Sequence, residues 1–548
     1  MVRARTLGCA LILAVAVREA CGQAAPERRI TVGEIDASLR FLSSDALEGR
    51  APGTRGGRLA QDYLASELEA AGLRPGMHDS YFQPLPISVL ATDRSTFRAT
   101  AAGTDTIGLR FGDDLVAWSG SASPATHVRG EVIFVGYGVT APEYRWDDFK
   151  GVDLRGKVVL ILVGDPPSTA EDPTRFGGAA LTYYGRWTYK LEEAERRGAA
   201  GALLVHTAAS AGYPWHSVIG SWGGTWRLGP RDPAQPPPLS LEGWITDSAA
   251  ARVLASAGLD LSTLRASASM RSFHPVATGV TVDIGFTSHV TRTEADNVVA
   301  MIRGRDPAVS GQWVVFTAHW DHLGIGPPVE GDSIYHGAED NASGVADLLA
   351  IARAAAHSAA PRRGMLFVFT TGEESGLLGS TYFASHAPVP LNGLIADLNI
   401  DGGNLLGPTR DLDVIGQRTS SLGPELARYA ARHALRVSPE RYPEQGQFYR
   451  ADHYAFAKAG VPAVTIGAGT DVVGRPPEWG RAQQEQYAAS RYHQPSDAYR
   501  ADFDLRGAKQ LSELILGFGT WLANTSGVPS WRPGSEFQRH APVSAAAP

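Results

Sequence analysis

From residue 296 onward, short apolar runs alternate with stretches in which apolar residues recur every three or four positions. The runs at 313–318, 365–371, 393–400 and 461–467 are strand-like, the first rich in β-branched and aromatic residues and read as a buried strand. Between and after them, 343–356, 376–386, 420–434 and 507–523 carry helical periodicity, with Val345, Leu348, Leu349 and Ala352 on one face of the first. Strand alternating with helix predicts an α/β fold, a mainly parallel mixed sheet flanked by helices on both faces. In such sheets, functional residues gather beyond the carboxyl ends of the strands.

Upstream the rhythm differs. Residues 32–72 read as helical, with Leu64 and Leu68 four apart and Gly72 as a stop. The runs 131–135, 157–163 and 201–205 are strand-like, a helix is expected over 189–198, and a loop-rich Trp/Gly/Pro region follows from Tyr213 to about Pro238. The Pro-, Ser- and Ala-rich end, 526–548, is expected to be a poorly ordered tail.

Composition narrows the function without deciding it. The 548 residues are 43% apolar and 20% charged, with a formal net charge of −7. No basic stripe or block of like charge points to a nucleic-acid partner. Arg3 and Arg5, the apolar stretch 7–17 and the small-residue site Gly22-Gln23-Ala24 read as a signal peptide over 1–24, implying export to the periplasm or the extracellular space. The apolar stretch is too short for a membrane span, so none is expected in the mature chain. Both cysteines, Cys9 and Cys21, lie in that segment. Cleavage near Ala24 leaves no disulfide or thiolate metal site, and a lipid anchor on Cys21 is the alternative.

Chemistry enters at the strand ends. The first strand ends in His319-Trp320-Asp321-His322, and the turn before the first helix reads Gly337-Ala338-Glu339-Asp340-Asn341. The next two strands end in Glu373-Glu374 and Asp401, and a downstream loop reads Tyr492-His493-Gln494-Pro495-Ser496-Asp497. Carboxylates gathered by the fold repel one another and resist ionisation unless cations offset them. Imidazole mixed with carboxylate suits zinc, with manganese or cobalt as compatible substitutes. The lack of cysteine fits a catalytic rather than a structural zinc site.

The pieces AHWDHLG, GAEDNASG, TTGEESGLLGS, LNID and RYHQPSD, in this order across roughly 296–523, resemble an M28-family zinc metallopeptidase of the co-catalytic aminopeptidase type. LSSDALEGRAPGTRGGRLAQDYLASELEAAGL resembles the opening helices of that family. The one departure is Glu339, where Asp is more usual. The resemblance implies two zinc ions held by His319, Asp340, Glu374, Asp401 and His493, with Asp340 bridging. It further implies Glu373 as general base towards a metal-bridging water, Asp321 as hydrogen-bond partner of His319, and Tyr492 as a substrate-polarising hydroxyl. Its chemistry is hydrolysis of peptides, most simply release of N-terminal residues. RGKVVLILVGD and YKLEEAERRGAAGALLVH resemble an inserted protease-associated (PA) domain. The expected organisation is therefore 25–88 and 291–525 as the peptidase domain, with a β-rich PA-like insertion at 89–290 and no ligand in the insertion. A mono-zinc glutaminyl cyclase and a carboxypeptidase of the same fold are the alternatives; for the latter, Arg450 and Arg491 are the nearest cations to the site segments. No role is legible for His322, and Asp452 and His453 remain open between substrate-side and structural parts.

Overall fold

The computed structural model describes residues 30–538, apart from 122, 213, 222–224, 230–235 and 534. The expected signal segment, with Cys9 and Cys21, lies outside the described residues, as do 539–548.

The main sheet is organised around four parallel strands. They lie in the order Gly364–Thr370, Trp313–His319, Leu394–Asn399 and Ala463–Ala468. Antiparallel strands flank them: Val276–Ile302 beside Gly364–Thr370, and Asp411–Ile415 beside Ala463–Ala468. Both faces of the central strands are covered, which is why they read as mainly hydrophobic runs, with the buried Asp397 breaking Leu394–Asn399. Val314, Phe316 and Ala318 face a core shared with the helices Val32–Leu42, Arg55–Ala70, Gly344–Ala356 and Arg506–Asn524. Trp313 and Val315 face the opposite core with Phe383 and Phe456, from the helices Leu378–Ser385 and His453–Lys458. The first helix is closed by a capping box, in which Thr31 Oγ1 accepts from Glu34 N and Thr31 N donates to the Glu34 carboxylate.

One strand serves two sheets. Val276–Ile302 is 27 residues long. Its second half pairs with Phe82–Thr92 and Gly364–Thr370 in the main sheet. Its first half pairs with Arg98–Ala102 and Ala125–Phe134. From there a second sheet continues through Val158–Leu162, Gly201–His206, Leu241–Thr246 and Leu115–Trp118. This second sheet has its own core, to which the helices Asp247–Ala255 and Leu261–Ala268 contribute. Positions 89 and 290, the expected edges of the insertion, fall inside continuous strands. Within Val276–Ile302 the chain passes between sheets without a turn, and the turn at 93–97 that joins Phe82–Thr92 to Arg98–Ala102 contains neither Gly nor Pro, so no Gly/Pro punctuation marks either crossing.

The chain's end differs from the composition-based expectation as far as Gln538. Trp531 bridges to Ser420, and Phe537, 6% exposed, packs on Tyr449 and Tyr454. Two aromatic anchors bury enough apolar surface to order a segment otherwise rich in Pro and Ser. The same aromatic cluster receives Tyr183 from the 98–287 region. Leu181 N donates to Pro443 O at 3.0 Å, and Lys458 pairs with Glu192 at 2.6 Å. Among the described residues, no helix is long and apolar enough to cross a membrane.

Candidate metal centre

The strands deliver their polar ends to one place. His319 is the last residue of its strand, in register with Thr370 on the neighbour. Thr370 leads through Thr371 and Gly372 to Glu373 and Glu374, while Asn399 leads through Ile400 to Asp401. Asp340 comes from the turn before the helix Gly344–Ala356, and His493 from the loop after the helix Trp479–Ser490.

Asp340 stands between the two histidines. Its Oδ1 lies 3.3 Å from His319 Nε2 and its Oδ2 3.1 Å from His493 Nε2. His319 Nε2 is also 3.4 Å from Asp401 Oδ1, and His493 Nε2 is 3.0 Å from Glu374 Oε2. Two donor sets thus share one carboxylate: His319, Asp340 and Asp401 on one side, His493, Asp340 and Glu374 on the other. Donor atoms of His319, Asp340 and Asp401 all lie within 4.8 Å of one another, as do those of His319, Glu373 and Glu374, and those of His322, Asp340 and Glu374. Nitrogen and carboxylate oxygen without sulfur, largely buried and converging, is a donor set that fits a divalent cation.

The charge balance agrees. Burial opposes ionisation of Asp340, yet hydrogen bonds from His319 and His493 hold its carboxyl well below the usual range. Burial and Asp340 likewise oppose Glu374, but His493 and His322 bring it down to about 2. Glu373 behaves differently. Burial, with Glu374, Asp401 and Asp452 nearby, pushes its carboxyl well above the usual range against the pull of His319. Adjacent glutamates are therefore separated by environment, one a stable anion and the other proton-accepting.

Three residues hold the site's loops. Asp497 accepts from Glu339 N at 2.9 Å, from Asp340 N at 3.1 Å and from the Tyr487 hydroxyl at 3.1 Å. Asn341 ties the Asp340 turn to the Asp401 loop: Nδ2 donates to Ile400 O at 3.0 Å, and Oδ1 accepts from Gly402 N at 2.9 Å. Arg50, from the amino-terminal segment, is 0% exposed. Its guanidinium donates to Trp320 O, Leu42 O, His336 O and Gly337 O at 2.9, 2.7, 2.5 and 3.0 Å, clamping the His319 and Asp340 loops together. Its neighbour Gly49, at φ +69, has no room for a side chain, because a Cβ would meet Tyr335 O at 2.5 Å. Replacing Arg50 by Met is expected to destabilise the protein by roughly 3–5 kcal/mol, the scale of breaking a buried charged network. Thermal unfolding with and without added zinc measures this; a loss under 1 kcal/mol would mean that the four carbonyls find other donors.

The remaining sequence candidates fall as follows. Asp321 differs from the expectation. Its carboxylate is 3.9 Å from His319 Nδ1, beyond hydrogen-bond reach, and the ring nitrogen instead meets the Asp321 backbone carbonyl at 3.2 Å. The carboxylate accepts Glu373 N at 3.3 Å, and burial raises it to about 7. Tyr492 is 49% exposed and stacks on the His493 ring at 3.8 Å between centroids. His322 is buried against Glu374. Asp452 accepts from Thr370 Oγ1 at 2.5 Å, and His453, held neutral by burial down to about 3, meets Thr465 Oγ1 at 2.7 Å. Arg50 and Asn341, which the sequence reading missed, lie in recognisable stretches (LEGR and EDNASG), but their partners are backbone carbonyls and amides.

Residues 297–519 match the model of peptidase family M28. Over 459 residues, 81% of this chain and 74% of the relative, the chain is 25% identical to a protein described as probable leucine aminopeptidase 2 from Aspergillus oryzae. The structure is similar to an aminopeptidase from Aneurinibacillus sp. strain AM-1, at TM-score 0.48 and 18% identity over 92% of this chain and 96% of that one. It is also similar to BSAP, a zinc aminopeptidase from Bacillus subtilis, at TM-score 0.42 and 17% identity over 93% and 98%. Residues 297–519, with the strand-end histidines and carboxylates that they carry, match a peptidase family M28 domain.

Proposed function

We propose that this protein is an exported di-zinc aminopeptidase that releases single residues from the free N-termini of peptides. The observation that carries this reading is the shared carboxylate of Asp340, each oxygen aimed at a different histidine. His319 and Asp401 would complete one zinc site, and Glu374 and His493 the other. When bound, two zinc ions supply Lewis acidity, lowering the pKa of a water and polarising the scissile carbonyl.

The chain's own residues account for the rest. Glu373, made basic by burial and by neighbouring carboxylates, takes a proton from the attacking water and delivers it to the leaving amine. Asp321 holds the Glu373 backbone N–H and so fixes where that carboxyl starts. The Tyr492 hydroxyl, carried on a ring stacked over His493, reaches the carbonyl oxygen as it gains charge. Residues 89–290, read as a PA-like insertion, contribute none of these groups and rest on the 443–458 segment, where they would cap the cleft and limit peptide length.

End recognition follows from charge. A cleft dense in carboxylate favours an α-ammonium and disfavours an α-carboxylate. The name of the Aspergillus oryzae relative supports the same direction. Two complete donor sets favour this reading over a glutaminyl cyclase with one zinc. The test is a peptide pair of identical sequence with free and acetylated N-termini. Acetylation is expected to lower kcat/KM roughly 10²-fold or more, and chelators to abolish activity on both. Equal values would remove the aminopeptidase assignment and leave metal-dependent hydrolysis standing.

A further inference from the structure

His322 is a buried titratable group at the centre that none of these roles uses. Its side chain is 0% exposed, and its Nδ1 lies 2.7 Å from Glu374 Oε1. Its Nε2 is buried with no hydrogen-bond partner. The ring lies against Gly337, where a Cβ would come within 2.5 Å of His322 Cγ, and Gly337 has φ +58. The backbone there is thus shaped to admit an imidazole.

The bond has one possible direction. An ionised carboxylate only accepts, so Nδ1 carries the hydrogen and Glu374 Oε1 receives it. The other oxygen, Oε2, faces His493 Nε2 at 3.0 Å. With Oε1 engaged on the far side, Glu374 has a single oxygen to offer. Left unrestrained, a carboxylate can rotate or bind through both oxygens, and the metal's position relative to Asp340 changes with it. We propose that His322 is a positioning residue, whose Nδ1–H locks Glu374 as a one-oxygen ligand to the metal that it shares with His493 and Asp340. The inference rests on the two-metal reading above. Its competitor is His322 as a ligand itself, since its donor atom lies within 4.8 Å of those of Asp340 and Glu374.

Side-chain geometry separates the two. Asn carries its amide nitrogen at the same distance along the chain as His Nδ1 and can keep the bond to Glu374, but it is a poor zinc ligand. Leu fills similar volume and donates nothing. Gln carries its donor one atom farther, past Glu374 Oε1. Full-length wild type and the variants His322→Asn, His322→Leu and His322→Gln are equilibrated in zinc-buffered solution, and bound zinc is counted by atomic emission. The visible spectrum after cobalt substitution is recorded in parallel, and metal-free melting temperatures check folding. The wild type is expected to hold two zinc ions. His322→Leu and His322→Gln should weaken one of them by 10–100-fold, the usual cost of losing an outer-shell partner, while His322→Asn stays near wild type with an unchanged cobalt spectrum. If Leu does not fold, the Asn–Gln contrast decides alone. Equal loss in Asn and the other variants would make His322 a ligand and overturn the proposal. No loss in any variant would overturn it too, because Glu374 would then need no restraint. A wild type holding one zinc refutes the two-metal reading instead, and the same contrast between variants still decides the part played by His322.

Discussion

Replacing Glu373 by glutamine is expected to lower kcat by roughly 10²–10⁴-fold, the scale of general-base catalysis, while bound metal stays at the wild-type level. The substitution conserves shape and removes only the ability to accept a proton. Glu373 is suited to that task because its surroundings oppose its negative charge: burial first, then the carboxylates of Glu374, Asp401 and Asp452. Its backbone N–H remains on Asp321, so the loop has no reason to move. The same change one residue on should give the opposite pattern. Glu374 has one oxygen on His322 and the other facing His493 across the proposed metal position, and Glu374→Gln should shed metal before it slows any proton transfer. Stopped assays of kcat beside metal analysis of both variants separate the two. Exchanged phenotypes would reverse the roles proposed for the pair.

How much of this was legible beforehand depended on whether the information was local. The four parallel strands could be read because each is buried on both faces and so mainly apolar, as in Trp313–His319. His319, Glu373, Glu374 and Asp401 could be read because they end those strands or follow directly on them. The strand Val276–Ile302 could not be read as one element, since its polar positions belong to two sheets with different exposed faces. The same continuity hid the crossing near 290, while the turn at 93–97 carries no Gly or Pro to mark the other. For Asp321, two residues of backbone decide whether carbonyl or carboxylate reaches His319, and the spacing alone does not show which. Arg50 is 270 positions from Trp320, and it spends its donors on backbone carbonyls, which no residue pattern announces. The Pro and Ser around Trp531 and Phe537 obscure a segment that one buried and one half-buried aromatic ring anchor.

Asp340→Ala should cost more metal than any other single change. Loss of Asp401 or Glu374 removes a donor from one set, whereas each set needs one of the two Asp340 oxygens. The expected result is near-complete loss of both zinc ions on dialysis, against loss of one for Asp401→Ala. A fall in kcat/KM of roughly 10³-fold or more should follow, since several kcal/mol of charge stabilisation go with the metals. The fold itself should survive. The turn is held by bonds that do not involve the Asp340 carboxylate: Asp497 accepts the backbone N–H groups of Glu339 and Asp340, and Asn341 spans to Ile400 and Gly402. Far-UV circular dichroism should therefore match that of wild type, so that metal loss cannot be assigned to unfolding. Retention of one zinc at wild-type affinity in Asp340→Ala would show that this carboxylate serves one ion alone. In that case the two histidines that face it would need separate partners, and the bridging arrangement would have to be abandoned.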